Sequence, residues 1–473
     1  MMMALILALG LWLWRTLSIV PLVTTVDLDN VQPTGVTFDA ASGHILVSGF
    51  VDANTGEAWQ IWLLDGAGRH LLRRLNGAAH VVLSPHLGQA LVATDDGVLL
   101  LDTRNGQPLR TFPGTLEPLI LTESGDRVVA TTSTRNVAVF AARSGARLPF
   151  HSPPTPFFFP NAYPFERSED SVVLPALHRA VVVIGGNQAH SSNLFLLDTQ
   201  DGSLLADYSY YADPYGLAVD GVTRRIFVAK GRSEGADVAT LDLRTGCDLG
   251  FVHASPSIAQ MALDAGRNAL FVLQGEPYNL PPPGHILQLD ARNGQLRRVM
   301  PISTDLPIAM ALDHAQGVLW VLTVPRSSIF VGGSTAGRLA QVNIGAGRVA
   351  RSVPVCDNPT GLIMDERRAR IYLACAGKRK QEDFSPAGAG SIEVLDTRTG
   401  AIIRDIGTNP GPRIAALDAL GGRLYITTEA DTISTPDPWS WLPEPARRFL
   451  QHPASPPTRD VPPTLQVIDL SRL

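Results

Sequence analysis

Short apolar runs punctuated by polar turns recur along the whole chain. One unit reads apolar run, polar turn, apolar run: "VTFDAASGHILVSG" at 36, "VVLSPHLGQALVAT" at 81, "LILTESGDRVVATT" at 119 and "VVLPALHRAVVVIG" at 172. It continues as "LAVDGVTRRIFVAK" at 217, "MALDAGRNALFVLQ" at 261, "MALDHAQGVLWVLT" at 310, "LIMDERRARIYLAC" at 362 and "AALDALGGRLYITT" at 415, giving nine copies about 38 to 53 residues apart. The runs are short, rich in Val, Ile and Leu, and bounded by Gly, Asp and Asn, so they predict strands rather than helices. A second phrase follows each copy, intact as "LLDTRNGQPLR" at 100, "TLDLRTGCDLG" at 240, "QLDARNGQLRR" at 288 and "VLDTRTGAIIR" at 394, degraded as "VFAARSGARLP" at 139 and "VNIGAGRVARS" at 342.

Four short strands per unit at this period predict an all-β, closed β-propeller of four-stranded blades. The copies number nine; eight blades with one unit absorbed is the alternative. The last unit ends on "LQVIDLSRL" (465–473), a third strand with no fourth, while "VPLVTTVDL" (20–28) precedes the first unit as a spare strand. Pairing the two closes the ring and leaves no sheet edge exposed. Residues 20–473 are then one domain.

The Asp-x-Arg-x-Gly phrase fits hairpin chemistry. Asp accepts hydrogen bonds from amides two residues on, and Gly adopts the left-handed conformation that a type I turn with a bulge demands. A calcium loop needs several convergent carboxylates, and most copies hold one.

Strands of a blade alternate in direction from the channel outward. Connections from strand one to two and three to four therefore share one face, and they are uniformly short ("DGVTRR", "DERRAR", "DTRTG"). The other face receives the insertions at 50–59, 151–170, 185–193, 230–237, 274–285, 324–338, 376–390 and 429–463. Elaborated loops on a rigid scaffold are where recognition concentrates, so function is expected on this decorated face. The segments between blades also arrive there and repeat a polar–Pro pattern, as in Asp213-Pro214-Tyr215 and Asn358-Pro359. Glu117, Asp213, Asp305 and Asp357, with Tyr215, are candidates for an acidic channel mouth that takes a cation or a sugar-like ligand. His190, Lys230, Arg232 and Glu234 on nearby loops offer acid–base groups. Two loops are aromatic: "PFFFPNAYPF", with Phe157, Phe158 and Phe159, and "PWSWLPEPARRFLQHP", with Trp439, Trp441 and a short helical turn expected over 443–451. They serve either as partner-contact surfaces or as lids over the channel.

Composition narrows the classes. A net charge of −5 on 473 residues argues against nucleic acid as a partner, because phosphate binding needs a basic surface. The three cysteines, Cys247, Cys356 and Cys375, cannot supply a C-x-x-C metal site. Cys356 and Cys375 flank one hairpin and form either a disulfide or two buried thiols. Residues 1–19, with 14 uncharged residues before Arg15, match a signal peptide or a membrane anchor, which implies an exported or membrane-tethered protein facing outside the cytoplasm.

The units resemble the YVTN-type β-propeller repeat, "P-x-G-hydrophobic-AVD…LYVTN…VSVIDTATG". The matching stretches are "DPYGLAVDGVTRRIFVAK" with "VATLDLRTG", "NPTGLIMDERRARIYLAC" with "IEVLDTRTG", and "RIAALDALGGRLYITT". Members of that family include extracytoplasmic binding proteins, lactonase-like enzymes and relatives of amine-dehydrogenase subunits. No cofactor is identifiable: the tryptophan that follows a D-x-x-T-G phrase in quinone-dependent propellers is missing, as are H-E-x-x-H, a phosphate loop and G-x-S-x-G. Two expectations follow. One is a binding or scaffold propeller holding an unidentified protein or small ligand on its decorated face. The other is a lactonase-like hydrolase with a channel-mouth carboxylate or metal site.

Overall fold

The computed structural model describes residues 22–473 except 30, 54–55, 77–80, 85, 133–136, 150–166, 186–191, 211–213, 231–235, 255–257, 276–283, 304, 326–334, 381–387 and 435–457. The described residues form nine four-stranded antiparallel sheets, numbered here as blades 1 to 9. Blades 1 to 8 are consecutive stretches: 31–76, 81–112, 115–148, 167–210, 214–253, 258–303, 306–357 and 359–408. Blade 9 takes Arg413–Asp418, Arg423–Thr427 and Thr464–Asp469 from the C-terminal end and Val23–Asp27 from the N-terminal end. The units at 119 and 310, whose second phrases at 139 and 342 are degraded, each build a full blade, so the eight-bladed alternative falls.

Closure is antiparallel, with Val23 opposite Ile468 and Asp27 opposite Thr464. It is sealed from the blade 1 side by Val36, Ile45 and Trp62 packing on Tyr425, Leu465 and Val467. The Tyr425 hydroxyl donates to the Gly66 carbonyl at 2.9 Å, a hydrogen bond between residues at opposite ends of the chain. The core has the same form all round the ring. Alternate residues of each strand face the next blade, so each apolar cluster lies in a seam, as where Val181 and Leu194 meet Ile226, Val228 and Leu241. Eight of the nine innermost strands carry a register shift near their starts, a bulge that bends the strand where it enters the channel wall.

The Asp-x-Arg-x-Gly phrase is a turn on the plain face. Asp396 Oδ1 accepts from the amides of Arg398 (2.9 Å) and Thr399 (3.0 Å). Gly400, at φ 69°, returns its N–H to the Asp396 carbonyl at 2.7 Å. The Thr399 and Arg398 amides hold the Asp396 carboxyl below its ordinary range.

Two further devices on this face were not legible locally. First, the aspartate that ends the innermost strand is buried in blades 1, 5, 6, 7, 8 and 9 (Asp39, Asp220, Asp264, Asp313, Asp365 and Asp418). In blades 5 to 8 it gathers a side chain three residues on (Thr223, Arg267, Gln316 and Arg368) that also reaches the next blade. Gln316 Nε2 donates to Asp313 (2.8 Å) and Thr397 (2.9 Å); Arg368 Nη1 donates to Asp365 (2.7 Å) and to the Ala419 carbonyl (2.8 Å). Second, an arginine on the outermost strand reaches over the following blade's turn. Arg351 donates to the Thr397 and Thr399 carbonyls while lying 5.3 Å from the Trp320 ring. Arg298 does the same to Ile344 and Gly345, and Arg404 to Arg472. These bonds satisfy carbonyls that the turns leave over, and they stitch neighbouring blades.

Candidate functional site

Of the expected channel-mouth residues, Glu117, Asp305 and Asp357 are described, and they stand in three different inter-blade positions. Glu117 is buried in the innermost strand of blade 3, with its amide bonded to Thr131 Oγ1 at 3.0 Å. Asp305 is half-buried between blades 6 and 7, its N–H on Ser303 Oγ at 2.9 Å. Asp357 is half-buried between blades 7 and 8, its carbonyl accepting from Gly377 at 3.3 Å. Tyr215 belongs to the innermost strand Pro214–Asp220. Asp213, His190, Arg232, Glu234, Phe157, Phe158, Phe159, Trp439, Trp441 and the 443–451 turn lie outside the described residues. Lys230 ends a second strand in blade 5 with its ammonium 5.3 Å from the Phe251 ring. Within the 429–463 insertion, Asp431–Ser434 and Thr458–Val461 pair as a hairpin.

What does converge is a cluster at the seam of blades 7 and 8. Cys356, on the outermost strand of blade 7, is disulfide-bonded to Cys375 at the end of the second strand of blade 8, with Cα atoms 5.9 Å apart. Between them runs the turn into the innermost strand of blade 8. Asn358 holds that turn at φ 47°: its amide N–H donates to Thr335, its side-chain NH2 to Gly377, and its carbonyl accepts from Ala376. Glu393, on the third strand of blade 8, points at the same seam. Among the described residues, Cys356, Cys375 and Glu393 are the one group of three such side chains with ligand atoms within 4.8 Å of one another.

Glu393 is the unusual member. Burial is the largest cause pushing its carboxyl above the ordinary glutamate range, and the Asp405 and Asp357 charges push the same way. The Cys356 N–H on Oε2, at 3.1 Å, opposes them without winning. Asp405 stands directly across the strand pair from Glu393. The corresponding third-strand position holds Ala239 in blade 5, Leu287 in blade 6 and Phe195 in blade 4. An acid inside an otherwise apolar strand was the available sequence signal, and the reading of turns and loops passed over it.

The donor set does not fit a metal ion in this state. Zinc-type coordination by cysteine needs thiolates, and both sulfurs are committed to one another. One carboxylate is left, and what it offers is proton transfer or hydrogen bonding.

A second buried carboxyl was also missed. Asp207, on the outermost strand of blade 4, has a buried Oδ1 with no hydrogen-bond partner, and burial pushes its pKa to about 6. It sits opposite Phe195, in the seam toward blade 3. On the plain face, Glu123 accepts from Thr199 Oγ1 at 2.5 Å and lies 2.9 Å from His178 Nδ1. Burial raises the Glu123 pKa, but those hydrogen bonds outweigh it and the carboxyl falls below its ordinary range. Thr199 occupies the turn position of Thr103 in blade 2, whose hydroxyl donates to Asp39 of blade 1, so the Glu123–Thr199 bond is the same contact between blades 3 and 4.

No family profile matches the chain, and no curated protein matches it. Solved structures do. Sqt1 from Chaetomium thermophilum, bound to the N-terminus of ribosomal protein L10, superimposes with a TM-score of 0.53 at 10% identity, covering 85% of this chain and 95% of that one. The quinohemoprotein alcohol dehydrogenase of Comamonas testosteroni gives 0.52 at 12% identity, covering 94% and 76%. A europium-containing methanol dehydrogenase gives 0.50 at 8% identity, covering 94% and 92%. At these identities the likeness is one of fold. The chain is a closed, nine-bladed β-propeller similar in architecture to both peptide-binding and enzymatic propellers.

Proposed function

We propose that the protein is a lactonase-like hydrolase acting on a small ester or lactone at the seam of blades 7 and 8, with Glu393 as the proton-transferring group. One observation carries this reading: a half-buried carboxyl with a raised pKa, one oxygen fixed by the Cys356 amide and two further acids beside it. A carboxyl moved toward neutrality can take a proton from an attacking water and return it to a leaving alkoxide. The likeness of the repeats to the YVTN type, whose members include lactonase-like enzymes, supports the substrate class.

Full-length protein should turn over members of a panel of γ-lactones, δ-lactones and aryl esters. The rate should rise with pH through the raised Glu393 pKa. Glu393→Gln keeps an acceptor for the Cys356 N–H and should lower kcat by about 100-fold or more while removing that pH limb. Its stability is an independent control. The native glutamate binds more protons than the unfolded one between the ordinary and raised pKa values, so its ionisation weakens the fold as pH rises through that window. The Gln variant should therefore be at least as stable as wild type above that window. Wild-type protein inert toward the whole panel would sink the hydrolase reading.

A binding or scaffold role is the second reading. The disulfide favours it, since it occupies two of the three convergent donor positions, as does the concentration of insertions on the decorated face.

A further inference from the structure

Most of the large apolar side chains left exposed among the described residues lie at the plain-face end of the ring. Leu71, Leu249, Leu296 and Ile402 are each at or next to the first residue of an outermost strand, where the chain has just left a plain-face turn. Val222 and Leu420 sit at the tips of plain-face turns, 80% and 76% exposed. Such positions serve neither a seam nor the channel. The turns beside them carry outward-facing arginines: Arg244, Arg292 and Arg398 are exposed. The aspartates of the same turns are bent back onto their own amides, as Asp242 is to Arg244 and Thr245. The tips thus present guanidinium groups flanked by aliphatic side chains, on a chain whose overall charge is −5.

The N-terminal segment joins the ring at this same edge. The Asp469 amide, at the plain-face end of the third strand of blade 9, donates to the Leu22 carbonyl at 2.9 Å. The described chain therefore starts at the plain-face rim of blade 9, and the sequence ahead of Leu22 holds "MMMALILALGLWLW" before its first charge.

We infer that the plain face is apposed to an anionic lipid bilayer: the rim leucines and isoleucines contact the acyl boundary, and the turn arginines meet headgroup phosphates. Aliphatic groups interleaved with arginine, adjoining an apolar segment, are the chemistry of interfacial membrane contact. A water-soluble partner would not be matched by an apolar segment rooted at the same rim. The seam cluster and the insertions then face away from the membrane, which follows from strand direction alone and does not depend on any catalytic reading.

The chain supplies its own probe. Cys247 is exposed at the plain-face edge of blade 5, two residues before Leu249, and it is the one cysteine outside the disulfide. Full-length protein should float with vesicles of 30% phosphatidylglycerol in phosphatidylcholine. Modification of Cys247 by a membrane-impermeant maleimide should slow at least tenfold on those vesicles. In a Cys247→Ser background, Ala336→Cys on the decorated side should react at an unchanged rate. Combined Leu249→Asp, Leu296→Asp and Ile402→Asp substitutions, all at exposed positions, should weaken flotation at least tenfold with unchanged unfolding. Failure to float, an unprotected Cys247 on vesicles, or protection at position 336 instead would each overturn the inference. Protection of Cys247 by dimerisation without lipid would do so too, because the occupant would then be a second copy of the chain.

Discussion

Deleting residues 1–29 should cost the ring its closure and a large share of its stability. The loss has two parts. Five residues, Val23–Asp27, cease to pair with the third strand of blade 9, leaving Thr464–Asp469 as a bare edge. At roughly 1 kcal/mol net per lost hydrogen bond the ladder alone contributes a few kcal/mol. Leu22, Val23 and Val26 also leave the clusters on either side of blade 9, worth about 1–2 kcal/mol each for side chains that are only partly buried. The sum, about 5 kcal/mol or more, rivals the total stability of an ordinary domain. Urea unfolding should show a lower midpoint and a smaller m-value as blades 9 and 1 separate early, together with aggregation through the new edge. An unchanged midpoint would mean that another segment closes the ring.

Removing the disulfide should have the second-largest effect. Cys356 and Cys375 lie 19 residues apart and join the outermost strand of one blade to the second strand of the next. A loop of that length restricts the unfolded chain by about 3 kcal/mol. The buried Cys375 packs with Trp320, Leu322 and Leu395, so Cys→Ala at this position adds a small packing loss. The double Cys356→Ala, Cys375→Ala variant should therefore lose about 2–4 kcal/mol in denaturant unfolding. Wild-type protein treated with a strong dithiol should shift the same way but by less, since its packing is intact. Equal stability of oxidised and reduced wild type would show that the staple does no more than seams already do.

Much of this architecture could be read from the chain because its signals are local. The nine copies, the spare strand at 20–28 and the short plain-face turns each come from residues within one hairpin, and Asp396 and Gly400 bond within five residues of one another. Contacts between blades are different in kind. Arg351 meets carbonyls 46 and 48 residues away, and Gln316 reaches Thr397 across 81. Nothing in "RVARS" or "DHAQG" announces those partners. The acidic mouth was inferred from topology, which placed Glu117, Asp305 and Asp357 in three different inter-blade positions without saying whether their side chains meet. Glu393 was hidden by the same limit, because its raised pKa comes first from burial in the seam, with the Asp405 and Asp357 charges pushing the same way.

Ring closure is the claim on which strand direction, the two faces and the seam of blades 7 and 8 all rest. It can be tested by one cross-link. Thr25 and Gln466 are opposite one another in the closing pair, with Gln466 Nε2 donating to Thr25 Oγ1 at 3.2 Å. In a Cys247→Ser background, Thr25→Cys with Gln466→Cys should oxidise within the monomer and give a faster-migrating, dithiol-sensitive band of unchanged mass. Thiols that stay reduced, or cross-link only between molecules, would contradict the closed nine-bladed ring.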